Sequence, residues 1–212
     1  MAVFIIFALL ITSLFTFRMS TTGQFVPALF IFGDSIVDTG NNNQLPTLIK
    51  ANFPPYGRDY VNQQPTGRFS NGKLAIDIIA DSFLALSSLP PAYLTDEAKG
   101  RNLLVGANFA SAGSGYYNLT ANLNLAISLD QQLEYFKEFQ AKLVGMVGET
   151  NASSIIAGSL YIISSGSSDF LQNYYINPLL QLTNQIDQFF AILLQNFVAF
   201  IQVSLKSPMT TS

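Results

Sequence analysis

Short apolar runs that end in turns of small residues recur three times along the chain. They are residues 26–32, 103–109 and 159–164. Continuous apolar runs of this length are typical of strands that are buried on both faces. The pattern therefore predicts a buried strand at 26–32 and makes the other two runs strand candidates.

Between and after these runs, apolar residues return at helical spacing in three segments. They are residues 71–86, 128–147 and 185–206. Asn71 is the predicted N-cap of the first helix, and Asp130 favours the start of the second because a negative charge is stabilised there. The polar segment 38–72 is predicted to be a long loop, and such loops are usually functional.

The predicted order of strand, helix, strand, helix, strand, helix is typical of a parallel sheet with helical crossovers. The carboxyl ends of parallel strands meet at one edge of the sheet, and ligands bind there. We therefore expect the turns around Ser35, Gly113 and Ser168 to converge. This predicts an α/β fold with its site at that edge.

Each of these turns offers chemistry suited to acyl transfer. Gly33 allows a tight turn before Ser35, and a helix after it would aim N–H groups at the serine, whose own N–H could hold an oxyanion. Gly113 allows a close backbone approach, and Ser168 adds a hydroxyl donor. Taken alone, each turn is better explained by ordinary capping and turn chemistry.

Composition narrows the function classes. Of the 212 residues, 49% are hydrophobic and 11% charged, which predicts a folded domain. The net charge of −3 argues against a nucleic-acid partner. The chain has no cysteine and no histidine, so it offers neither disulfides nor the usual zinc ligands, and we predict no metal or cofactor. A serine nucleophile would also lack an imidazole base within these residues.

The beginning of the chain predicts export. Residues 2–17 are almost wholly apolar and precede small polar residues, which favours a signal peptide over 1–23 and a mature domain over 24–212. A retained anchor is the alternative, because Arg18 follows the apolar run rather than preceding it. Glycosylation sequons begin at Asn118 and Asn151. We expect a secreted monomer without a stable membrane span after cleavage.

Four blocks carry a family resemblance. They are residues 32–43, 67–73, 108–115 and 165–170. In this order they resemble the plant GDSL esterase/lipases of the SGNH hydrolase superfamily, from about residue 25 to about residue 202. The resemblance implies a flavodoxin-like three-layer α/β/α sandwich and hydrolysis of carboxylic esters of lipids or small acyl groups.

The resemblance also implies residue roles. Ser35 falls on the nucleophile, and Ser35, Gly113 and Ser168 fall on the oxyanion hole, with Gly115 as the less favoured register. Ser168 departs from the family's asparagine. The family's Asp-x-x-His, which lies near the end of a longer chain, is absent, so we expect a C-terminally truncated form that arises by splicing, a gene-model error or a premature stop. The alternative to an ester hydrolase is an inactive secreted form that acts as a binding protein or an unfolded remnant.

Overall fold

The computed structural model describes residues 26–206, and the predicted signal peptide lies outside them. Three parallel strands form a sheet in the order β2-β1-β3. They are β1, Leu29–Gly33, β2, Gly106–Asn108, and β3, Leu160–Ser164. The prediction of a parallel sheet is confirmed, but the second strand was predicted too long. Gly100–Val105 forms a 3₁₀ helix, and β2 begins only at Gly106.

Seven α-helices lie in the described residues. They are α1, Ala75–Ile78, α2, Asn118–Leu123, α3, Leu129–Val147, α4, Glu149–Gly158, α5, Ser167–Leu171, α6, Pro178–Thr183, and α7, Ile186–Lys206. A π-helical turn, Ile79–Phe83, continues α1, and further 3₁₀ turns span Asn41–Gln44, Val61–Gln63 and Tyr174–Ile176. The predicted helices over 128–147 and 185–206 are confirmed. The Ser128 hydroxyl caps α3 by accepting the Gln131 N–H at 3.2 Å.

The first predicted helix was wrong in its start and its cap. The helix α1 begins at Ala75, not at Asn71. The Asp77 carboxylate folds back to accept the Leu74 N–H at 2.8 Å and forms a two-bond ion pair with buried Arg68. This tertiary pairing fixes the start of α1, whereas Asn71 donates to an aspartate of the preceding loop.

The two faces of β1 build two separate cores. Phe30 and Phe32 pack with residues of α3, α4 and α7 on one face. Leu29 and Ile31 pack with α1 and its π-helical turn on the other. The sheet therefore lies between two helical layers, which confirms the predicted three-layer α/β/α fold.

The long helix α7 is only partly covered. It buries Phe189, Leu193 and Phe200, but Phe190 is 58% exposed. By length and composition, its stretch Ile186–Val203 is the one helix of residues 26–206 that could cross a membrane. A helix that packs on a sheet meets the same criteria. Phe200 of α7 packs against Phe32 of β1, whereas Phe189 and Leu193 pack with Tyr174 and Leu180. The strand β3 pairs on one side only within the described chain.

Candidate functional site

Three turns meet at the carboxyl edge of the sheet. We call residues 33–38 the first turn, 110–115 the second and 165–169 the third. Asp34 of the first turn accepts the Ser167 hydroxyl of the third at 2.7 Å. Asp38 of the first turn accepts the Ala112 N–H of the second at 3.0 Å. Two buried carboxylates thus hold the other turns against the first, and the expected convergence is present.

Ser35 lies in a single turn and not at the start of a helix, so the helix expected to follow it is wrong. The N–H groups of Val37 and Asp38 both reach the Asp34 carbonyl, and the Asp34 side chain takes the N–H of Ile36 at 3.1 Å. Asp38 then turns the chain again, because its carboxylate accepts the two N–H groups that begin the next 3₁₀ turn. Ser35 is partly exposed, and neither its hydroxyl nor its N–H has a partner within residues 26–206.

Gly33 sets the position of Ser35. Its φ is +138°, and a β-carbon there would collide with the Ser164 carbonyl. The buried side chain of Gln132 grips the Gly33 backbone, with Oε1 accepting its N–H and Nε2 donating to its carbonyl, both at 2.9 Å. Glycine is therefore required for the close approach of β1 to β3, and α3 supplies the clamp.

The second turn presents the Gly113 N–H. A hydrogen bond of 3.0 Å from Ser114 N to Ser111 O closes a β-turn, in which Gly113 has a φ of +86°. A β-carbon at Gly113 would lie 2.8 Å from the Ile49 side chain and 2.9 Å from that of Asn124. In the part of the chain that the structure describes, no group accepts the Gly113 N–H.

Gly115, the alternative oxyanion register, is packed against the Asp169 carboxylate, which a β-carbon would strike. Asp169 accepts the N–H groups of Tyr116 at 2.7 Å and Tyr117 at 3.2 Å, and the Thr120 hydroxyl at 2.7 Å. Gly115 is thus a packing position between the second and third turns.

Ser168 is the second residue of α5 and is only 3% exposed. Among the residues described, the Ser165 hydroxyl of the same turn is buried without a hydrogen-bond partner. Beside this turn lies a cavity of about 430 Å³. Tyr116, the third turn and the apolar side chains of α7, including Phe190, Leu194 and Phe197, line it. A cavity of this size and polarity suits an apolar ligand.

The comparisons with known proteins decide the family. A family model described as GDSL-like Lipase/Acylhydrolase matches residues 29–212. The chain belongs to this family. It is 56% identical to GDSL esterase/lipase APG of Arabidopsis thaliana over 179 residues, which are 84% of this chain and 50% of that protein. It is 54% identical to GDSL esterase/lipase At3g53100 of the same plant over 186 residues, 88% of this chain and 53% of the other.

The chain spans about half the length of these GDSL relatives. No solved structure gives a significant match. The first three letters of the family's name match Gly33–Ser35 in the first turn of the site, and Ile36 stands where the name has Leu.

Electrostatics restrict what the carboxylates of this GDSL site can do. Burial raises the pKa of Asp34, and hydrogen bonds from Ser167 and Ile36 offset this only in part. Burial raises the pKa of Asp38 to about 6. The oxygens of both carboxylates already accept hydrogen bonds from the turns. The two groups therefore suit a structural role better than that of a base for the Ser35 hydroxyl.

Sequence reasoning named Ser35, Gly113 and Ser168 but missed the groups that hold them. The missed residues are Asp34, Asp38, Asn42 and Gln132. The only signal for the first three is their position in a polar stretch beside the serine. Nothing in the amphipathic pattern separates Gln132 from other polar residues of α3.

Proposed function

We propose that this chain carries the nucleophile and oxyanion half of a serine hydrolase that acts on carboxylic esters. In this proposal the Ser35 Oγ attacks the ester carbonyl carbon and loses its proton to solvent water. The alkoxide leaves and takes a proton from solvent water to become the alcohol. A second water then hydrolyses the acyl-serine to the free acid and restores the Ser35 hydroxyl. The N–H groups of Ser35 and Gly113 stabilise the oxyanion, and Ser168 occupies the place of a third donor.

One observation carries the proposal. At one edge of the sheet, two backbone N–H groups, those of Ser35 and Gly113, lie in hydrogen-bonded turns and meet no acceptor in the described residues. Free, pre-oriented N–H groups beside a serine hydroxyl are what an oxyanion hole requires. The packing of Gly115 against Asp169 further supports the Gly113 register.

The chain has no histidine to accept the serine proton. Triad hydrolases that lose one member keep roughly 1,000-fold or more over the uncatalysed rate, through the oxyanion hole and binding. We therefore expect slow, Ser35-dependent acylation rather than fast turnover.

The test is covalent labelling together with hydrolysis of p-nitrophenyl butyrate. A fluorophosphonate probe reacts when the serine Oγ attacks phosphorus, fluoride leaves and the proton passes to water. We expect labelling of the wild type and of Ser87→Ala, which changes an exposed serine, but not of Ser35→Ala. Equal labelling and hydrolysis by the wild type and Ser35→Ala would refute the proposal.

A second candidate function is a secreted protein that binds apolar esters or acids without turning them over. The cavity of about 430 Å³ beside the third turn and the lack of histidine favour it. A fluorescent fatty acid should then bind to Ser35→Ala as tightly as to the wild type, and Leu194→Asp should abolish binding. Export remains part of both proposals.

The two sequon asparagines, Asn118 and Asn151, are exposed, which supports glycosylation during export. Expression in a secreting eukaryotic host should give two glycosidase-sensitive mobility shifts. Each asparagine changed to Gln should remove one of them.

A further inference from the structure

The peptide unit that joins Ala112 to Gly113 is held from its carbonyl side. The Asn42 Nδ2 donates to the Ala112 carbonyl oxygen at 2.8 Å. In a planar trans peptide, this carbonyl and the N–H of the next residue point in opposite directions. The bond from Asn42 therefore fixes the direction of the Gly113 N–H.

The β-turn around this peptide has two accessible forms. Gly113 is its third residue and has a φ of +86°, and the backbone of Ala112 has no positive φ, so the turn is type II. A type I turn would need a negative φ at Gly113 and would reverse the central peptide. Glycine populates both signs of φ with similar ease, so the residue itself does not select the form.

The hydrogen bonds of Asn42 select the type II form. It is 1% exposed, and its second amide hydrogen goes to the Ile49 carbonyl at 2.8 Å. Its Oδ1 accepts the Ser111 hydroxyl at 2.6 Å. With both donors and the acceptor engaged, the amide cannot rotate without losing several buried bonds. A reversed central peptide would bring the Gly113 N–H toward the Asn42 Nδ2, donor against donor.

We infer that Asn42 is a positioning residue that keeps the second turn in its type II form and thereby aims the Gly113 N–H into the oxyanion hole. Asn42 does not touch the ester in this arrangement. The inference rests on the oxyanion role proposed above for Gly113. Asp38 contributes on the other side of Ala112 by holding its N–H at 3.0 Å.

The test compares Asn42→Asp with Asn43→Asp in the full chain. Both variants replace an amide by a carboxylate of the same shape, but the Asn43 amide donates to Thr66 and has no contact with the second turn. In a type II turn the Gly113 amide proton lies next to the Ala112 Hα, and in a type I turn it lies next to the Ala112 amide proton. Nuclear Overhauser effects of labelled protein distinguish the two contacts directly.

We expect the type II contact in the wild type and Asn43→Asp, and its loss in Asn42→Asp. Fluorophosphonate labelling of Ser35 should slow by roughly 100-fold in Asn42→Asp alone, the scale of one lost oxyanion donor. If circular dichroism shows Asn42→Asp unfolded, Asn42→Ala removes both amide donors without adding charge and serves the same comparison.

The outcomes separate the two claims. A type II contact that persists in a folded Asn42 variant overturns this inference, whatever the labelling rate. Loss of the contact with unchanged labelling upholds the control of the turn by Asn42 and overturns the assignment of Gly113 as the oxyanion donor.

Discussion

The clamp that Gln132 places on Gly33 gives the most direct measure of what holds the first turn. Gln132 is fully buried and makes two bonds of 2.9 Å to the Gly33 backbone. Gln132→Ala leaves the Gly33 N–H without an acceptor, whereas the carbonyl keeps its bond from Ser111 N at 3.0 Å. One orphaned buried group costs about 1–3 kcal/mol, and the one deleted methylene adds about 0.8 kcal/mol. We expect a loss of about 2–4 kcal/mol in the free energy of unfolding.

Urea unfolding followed by circular dichroism measures this loss. The matched control is Gln131→Ala, one residue earlier on α3, where the side chain is exposed. It should change the free energy of unfolding by less than about 0.5 kcal/mol. If the two variants unfold at the same urea concentration with the same slope, Gln132 does not clamp β1 and the reasoning fails.

Three further changes test the packing of Gly115, the ionisation of Asp38 and the ion pair of Asp77. Gly115→Ala should lower the melting temperature by several degrees, since its methyl strikes Asp169, and unchanged thermal unfolding would contradict that packing. Because burial raises the pKa of Asp38 to about 6, the folded state binds its proton more tightly than the unfolded state, so the free energy of unfolding should rise by about 1 kcal/mol as the pH falls from 7 to 5, and a flat profile would contradict this. Asp77→Asn removes the partner of a buried arginine and should cost about 3–5 kcal/mol by urea unfolding, against under about 1 kcal/mol for exposed Asp81→Asn, and equal losses would contradict the difference.

The layers of the fold were predictable because they follow local patterns. The strands β1 and β3 are short apolar runs, and α3 carries both an apolar stripe and a capping serine, so sequence and structure agree there. The start of α1 was not predictable, because its cap comes from Asp77, whose orientation depends on Arg68. The short β2 was not predictable either, since an apolar run fits a 3₁₀ helix as well as a strand.

Sequence reasoning predicted the turns that form the site but not the side chains that hold those turns in place. The turns were expected to converge because parallel strands end at one edge, and small residues mark those ends. The clamps were not, because they join residues far apart in the chain, as Gln132 joins Gly33 across 99 positions and Asn42 joins Ala112 across 70. A polar residue in the sequence does not reveal which distant backbone group it serves.

Side chains of the asparagine-rich loop after Ser35 form the hydrogen bonds that a neighbouring strand would otherwise form with the backbone of the second turn. Beyond β2 the chain continues beside β1, with Phe109 N bonded to Ile31 O and Ser111 N to Gly33 O. The backbone groups that face the other way have no strand to pair with in the described chain, and side chains bond them instead. Asn41 and Asn42 bond the carbonyls of Ala110 and Ala112, while Asn108 and Asp38 accept their N–H groups.

Side chains can satisfy a backbone edge only if their donors and acceptors match it one by one. An amide donates to a carbonyl, and a carboxylate accepts an N–H. Exchanging the two side-chain types would therefore place a donor opposite an N–H at Asp38, or an acceptor opposite a carbonyl at Asn42, in a buried site. Each mismatch orphans a backbone group at a cost of about 1–3 kcal/mol. A β-strand in this place would bond the same groups through its backbone, whatever its side chains. The loop instead makes the shape of the second turn depend on particular residues. The direction of the Gly113 N–H therefore depends on those residues as well.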